Sequence, residues 1–159
     1  AFTYKSFRLT NLLYVLVAVH ALILAVGAHY TYAHVPLFDV IRDMVGGTRN
    51  SYDGVGHFAQ GFVPAIAARE ILLRKSGIHS GFLLSLIIIL ACLGISAVYE
   101  IIEWIVGVMM TQKAEEFLGT QGDVWDTHKD MALAGLGALI AILSLSKIHD
   151  VQLSKLDEA

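Results

Sequence analysis

Apolar residues in this chain run in long blocks instead of recurring at the three- and four-residue spacing of an amphipathic surface helix. Leu12 to Ala28 has a single polar interruption, His20, and Phe82 to Met110 and Met131 to Ser146 are nearly as clean. A fourth block, Gly54 to Leu73, holds His57, Gln60, Arg69 and Glu70 and is the least hydrophobic, so hydropathy alone would miss it. Blocks of this length predict helices that cross a bilayer, whose core of about 30 Å needs about 20 residues. The pattern predicts an all-α integral membrane bundle of four transmembrane helices over about 11–30, 54–74, 81–107 and 126–147. The last helix is expected to begin ahead of its apolar run, putting Asp126 and Asp130 in its first turns, where the helix dipole favours negative charge. Thr31 to Tyr52, with Pro36, Gly46 and Gly47, reads as the long connection.

Composition strengthens the bilayer reading. Hydrophobic residues make up 56% of the 159 positions and mean hydropathy is +0.65, more than a soluble core of this size requires. The length suits one domain, and a formal charge of -3 argues against nucleic acid as a partner. Cys92 is alone within an apolar run, which excludes a disulfide framework and a thiolate metal site. Lys5 and Arg8 before the first block resemble a signal peptide, but three further blocks follow and the segment reads as a retained span.

Basic residues set the expected orientation. With four crossings, Lys5, Arg8, Arg69, Arg74, Lys75, Lys147 and Lys155 share one side and Arg42, Arg49, Lys113 and Lys129 the other. Seven against four puts both termini in the cytoplasm, with Trp104 and Trp125 suited to the opposite interface.

Depth then decides which polar residues can meet. His57 lies about one turn inside the second span, whereas Glu70 lies thirteen residues on, about 20 Å deeper. Glu100 is eighteen residues along the third span, about 27 Å from its start, so Glu100 and Glu103 reach the level of His57, Asp126 and Asp130. Glu100 and Glu103 are i,i+3; Asp126 and Asp130, and Asp53 and His57, are i,i+4, so each pair shares a helix face. Several carboxylates converging at a membrane boundary repel one another and resist burial, so something must neutralise them. A divalent metal, Fe, Mn or Zn, suits oxygen and imidazole ligands, and His57, Glu100, Glu103, Asp126 and Asp130 are the expected ligands. Asp53, Gln60, Asp123, His128 and Arg49 form the expected surrounding layer. Shared protons, or charge compensation by Arg49, Lys113 and Lys129, are the competing explanation, and plain loop acidity the third. His20 is expected to pack with a hydrogen bond, since no acidic partner shares its depth, and Arg69 to snorkel at the inner boundary. Ala134, Gly135, Gly137 and Ala138 read as close helix packing. Without a Gly-x-Ser-x-Gly turn at the outer end, serine nucleophile chemistry has no support.

The runs His29-Tyr-Thr-Tyr-Ala-His-Val-Pro-Leu-Phe38, Asn50 to Pro64, Arg69-Glu70, Tyr99-Glu-Ile-Ile-Glu-Trp104 and Phe117 to Met131 together resemble the YjdF-like bacterial inner-membrane proteins. The resemblance covers most of the chain from His29 to about Gly137. It implies an integral membrane fold and an inner-membrane location, and it carries little chemistry. Its patterned positions fall on Asp53, His57, Gln60, Glu100, Glu103, Asp123, Asp126 and Asp130. At His128 the family pattern more often has Gln, which argues against His128 as a ligand.

The expected protein is thus a multi-pass inner-membrane protein, its polar cluster facing the periplasm and holding a divalent metal, with no activity specified. Two alternatives remain open from sequence. One is an accessory or assembly subunit docked on other membrane subunits; the other is a metal-dependent enzyme acting on a lipid-like substrate, with Asp123 or Asp53 as general base.

Overall fold

The computed structural model describes residues 7–110 and 122–157. Among them there are five helices and no strand: α1 (Asn11–His29), α2 (Pro36–Val45), α3 (Tyr52–Lys75), α4 (Phe82–Met110) and α5 (Asp126–Asp157). Three of these, α1, α4 and α5, are long and apolar enough to cross a membrane. Lys113 and the first part of the Phe117 to Met131 run lie outside the described residues.

The fourth long helix, α3, differs in kind. Its 24 residues span about 36 Å, enough to cross, but Arg, Lys and Glu near its end lower its hydropathy. It lies at the centre, packed on α1, α4 and α5, while α4 also packs on α5. Ten of its residues are buried, including His57, Arg69 and Glu70. The apolar helices instead carry exposed Leu22, Leu83, Leu90 and Leu143, as expected of surfaces that face lipid.

Helix seams explain the packing. In α4, Leu84, Ile88, Cys92, Ser96 and Glu100 are buried at intervals of four, so one stripe passes from aliphatic to small to acidic residues. In α5, Asp126, Asp130, Ala134, Ala138 and Ala141 continue to His149 and Leu153 on the same face. The α3–α5 crossing brings backbones into contact: a Cβ at Gly61 would strike the backbone of Ala134, and one at Gly137 the carbonyl of Phe58. The apolar core beneath joins Leu13, Ile66, Leu84, Ile88 and Cys92.

Thr31 to Tyr52 contains a helix the hydrophobic pattern does not announce. Pro36 opens α2 at a position where a missing amide costs nothing, and Gly46, left-handed at φ 66°, closes it. Helix α5 runs about ten residues beyond the expected end at 147, because His149 and Leu153 extend its buried stripe.

At one end of the bundle lie the start of α1, the end of α3 and the end of α5. The Thr10 amide donates to Glu70 Oε1 at 3.1 Å, and its hydroxyl to Oε2 at 2.8 Å. The Leu12 amide donates to Gln152 Oε1 at 2.8 Å. At the other end lie the turn after α1, the start of α3, the last part of α4 and the start of α5. That second end holds the candidate site.

Candidate metal centre

His57 is the middle of the site. Its side chain is 5% exposed, and Nε2 stands 3.5 Å from Asp53 Oδ1, 3.7 Å from Glu100 Oε1 and 4.0 Å from Asp130 Oδ2. Three helices supply these groups: Asp53 and His57 from successive turns of α3, Glu100 from the α4 seam and Asp130 from the α5 seam. Ligand-type atoms of Asp53, His57 and Asp130 lie within 4.8 Å of one another, as do those of His57, Glu100 and Glu103. These separations exceed the 2.7–3.2 Å or so of ordinary hydrogen bonds. Among the described residues, His57 Nδ1 and Glu100 Oε1 are buried without a hydrogen-bond partner.

Arg49 divides the carboxylates. Its guanidinium pairs with Asp126, with Asp123 at 3.3 Å and with Asp53 at 3.4 Å. Asp126 is buried, but it faces this arginine, whereas Asp53 is shared between Arg49 and His57. Lys129 closes the outer edge by pairing with Asp123 at 2.5 Å. The Lys129 ammonium, aided by the Trp125 amide, holds the Asp123 carboxyl below the usual carboxylate range. Arg42 is engaged by Asp39 and Asp43 within α2. Among the described residues, Arg49 and Lys129 thus neutralise the outer carboxylates, and Glu100, Glu103 and Asp130 have no arginine or lysine pair.

Other sequence candidates fall around this centre. Gln60 lies one turn below His57 and lines a cavity with it, and His128 is exposed, its ring edge-on to Trp125 at 5.3 Å. His20 departs from expectation twice: it lines the same cavity as Asp53, His57 and Glu103, so acidic groups do share its depth, and its Nε2 has no hydrogen-bond partner among the described residues. The signal was available, since His20 is seven residues from both buried Leu13 and buried Gly27 and so shares their face.

Glu70 is remote from this centre, as the depth argument requires, but belongs to a second buried network that sequence reasoning missed. His149 Nε2 is 3.1 Å from Glu70 Oε2, and Arg69 reaches His149 Nδ1 at 3.0 Å. Arginine can only donate, so Nδ1 accepts and Nε2–H donates to Glu70. Arg69 also meets Ser80 at 3.1 Å and Asp150 at 2.8 Å, and Arg74 meets Glu70 at 2.8 Å. Arg69 is 3% exposed, a buried partner and not a snorkelling side chain. The α5 stripe Ala134, Ala138, Ala141 points to His149 by its spacing, whereas the Thr10–Glu70 contact, sixty residues apart, has no local signal.

No solved structure matches the chain. It is similar to the inner membrane protein YjdF of Escherichia coli (strain K12), 46% identical over 153 residues, covering 96% of this chain and 73% of that protein. Residues 1–151 match the family described as "Predicted membrane protein (DUF2238)". With its three apolar crossing-length helices and this relative, the chain belongs to the DUF2238 family of membrane proteins.

Proposed function

We propose that this inner-membrane protein binds one divalent metal ion between α3, α4 and α5, with His57, Glu100, Glu103 and Asp130 as ligands and Asp53 at the edge. The spacing around His57 carries the reading. Ligands at about 2.1 Å from a metal stand about 3.0–3.5 Å apart; His57 Nε2 is 3.5–4.0 Å from Asp53, Glu100 and Asp130, and ligand atoms within each of the triads Asp53–His57–Asp130 and His57–Glu100–Glu103 lie within 4.8 Å, so the donors draw in to close on an ion. Glu100 and Asp130 are buried and stand beyond ordinary hydrogen-bond distance from His57, whereas Asp53 and Glu103 are half-buried at the edge of a cavity. Arg49, already placed among Asp53, Asp123 and Asp126, fills the outer position with a fixed cation and leaves room for a single metal. Asp126, expected from sequence as a ligand, orients Arg49 in this reading.

The proposed frame is four crossings. Helices α1 and α4 both start at the Glu70 end, so the chain must return between them, and α3 is the element that does so. Its polar residues are tolerable because α1, α4 and α5 pack around it. Basic residues at the Glu70 end make that end cytoplasmic and the metal end periplasmic. On that outer surface α2 leaves Leu37, Val40, Ile41 and Met44 exposed, a face suited to lying in the membrane interface. The test is elemental analysis of purified protein beside Glu100→Ala and Asp130→Ala. One equivalent of Fe, Mn or Zn in wild type, lost in both variants, supports the reading; folded wild type that takes up none of these ions on titration refutes it.

A further inference from the structure

Beside the ion cluster, a cavity of about 150 Å³ opens between α1 and α4 with α3 as its floor. His20 and Leu24 of α1, Tyr32 of the following turn, Gln60 of α3 and Tyr99 of α4 line it, and His57 and Glu103 form its border with the cluster.

Its depth is unusual for polar groups. His20 lies nine residues before the end of α1 and Gln60 eight after the start of α3, about 14 and 12 Å inside the respective helix ends. Among the described residues, His20 Nε2 is buried there without a hydrogen-bond partner. In hydrocarbon such an atom is costly unless something bonds it.

The opening faces sideways. Leu24 and Tyr99 line the cavity yet are 41% and 43% exposed, on helix surfaces that are otherwise apolar. Toward the helix ends the cavity meets Tyr32, whose hydroxyl donates to the Leu24 carbonyl at 3.3 Å and whose ring occupies the space a Cβ on Gly27 would need. Thr31 and Tyr32 hold this pose with φ of 55° and 57°, a region that non-glycine residues seldom adopt.

Size and chemistry narrow the occupant. An apolar cavity of about 150 Å³ accepts one benzene ring, and Tyr32 and Tyr99 offer aromatic walls to such a ring. Gln60 and a histidine supply neutral hydrogen-bond groups. The Asp53 and Glu103 carboxylates repel an anion, and the depth disfavours any charged head. We infer that this cleft binds the oxygen-bearing ring of a membrane-dissolved lipophile, a phenol or quinone in chemical class, which enters from the bilayer between α1 and α4. The inference stands on the cavity and does not require the metal.

The test is a binding titration of the full chain in lipid nanodiscs with 4-hexylphenol, beside 1-decanol, which has the hydroxyl without the ring. Both are measured with EDTA present, so that failure here and failure of the metal reading are separable. The expected result is saturable binding of one phenol per chain, at least about tenfold tighter than decanol. His20→Leu and Gln60→Leu should each weaken it about five- to tenfold, the effect of one lost hydrogen bond, and Leu24→Trp should block it. His20→Gln, which keeps a hydrogen-bonding group, should retain most of it and guards against a folding defect in His20→Leu. Equal affinity for decanol, non-saturable partition, or full binding by Leu24→Trp overturns the inference.

Discussion

The two ends of α3 bury the same kinds of side chain and arrange them in opposite ways. At the Glu70 end, carboxylate, imidazole, guanidinium and hydroxyl close on one another at 2.8–3.2 Å, and Glu70 and His149 are fully enclosed. At the His57 end, imidazole and carboxylates stand 3.5–4.0 Å apart, and among the described residues His57 Nδ1 and Glu100 Oε1 have no hydrogen-bond partner. A closed network fastens helices, whereas an open one of similar chemistry leaves donor atoms for something else. The difference separates a structural clasp from a candidate site without appeal to residue type, which is nearly the same at both ends.

Breaking the clasp should have the largest effect on folding. Glu70→Ala strands buried His149 and Thr10 and leaves Arg74 without its carboxylate, and should cost about 3–5 kcal/mol, read as a lowered denaturation midpoint in detergent. Metal content per folded molecule should be unchanged. At the open end the prediction inverts. Metal at one hundred times its Kd should stabilise wild type by about 2.7 kcal/mol. Glu100→Gln should lose that increment while matching wild type in EDTA, since it removes one of several mutually repelling carboxylates. A Glu100→Gln protein as damaged in EDTA as Glu70→Ala would erase the distinction between the ends.

The crossing between the two ends links them. Gly61→Ala forces α3 away from the Ala134 backbone and should cost about 1–3 kcal/mol, measured by thermal unfolding. It should also weaken metal binding, because α5 carries Asp130. The smallest effect concerns the outer rim. The depressed Asp123 carboxyl should titrate by carbon NMR below the ordinary value of about 3.9. Its exposed tie to Lys129 is therefore intact above that value and lost only as pH falls through the lower, folded-state one.

How far the sequence revealed this arrangement depends on the range of each contact. Apolar runs located α1 and α4, while α5 runs about ten residues past the expected end and α2 was not expected; the grouping of His57, Glu100, Glu103 and Asp130 at one level followed from rise per residue. Depth does not report rotation about the helix axis, however. Asp126 turns to Arg49 although it lies at a suitable level, whereas for His20 the depth reading itself failed, since it lines one cavity with Asp53, His57 and Glu103. Seam spacing would have supplied the rotation for His20 and His149, since each continues a buried stripe on its helix. In α2 the boundaries were readable from Pro36 and Gly46, but its ten residues are too few to stand out by hydropathy. The clasp joins Thr10, Glu70 and His149, positions with no common local pattern, and only the packed bundle brings them together.

The most direct measurement is X-ray absorption at the edge of the bound metal in wild-type protein. The expected result is a single metal per chain, coordinated by one imidazole nitrogen and at least three carboxylate oxygens at about 2.0–2.2 Å, with the imidazole scattering lost in His57→Ala. A metal environment without imidazole, or one that His57→Ala leaves unchanged, would contradict it.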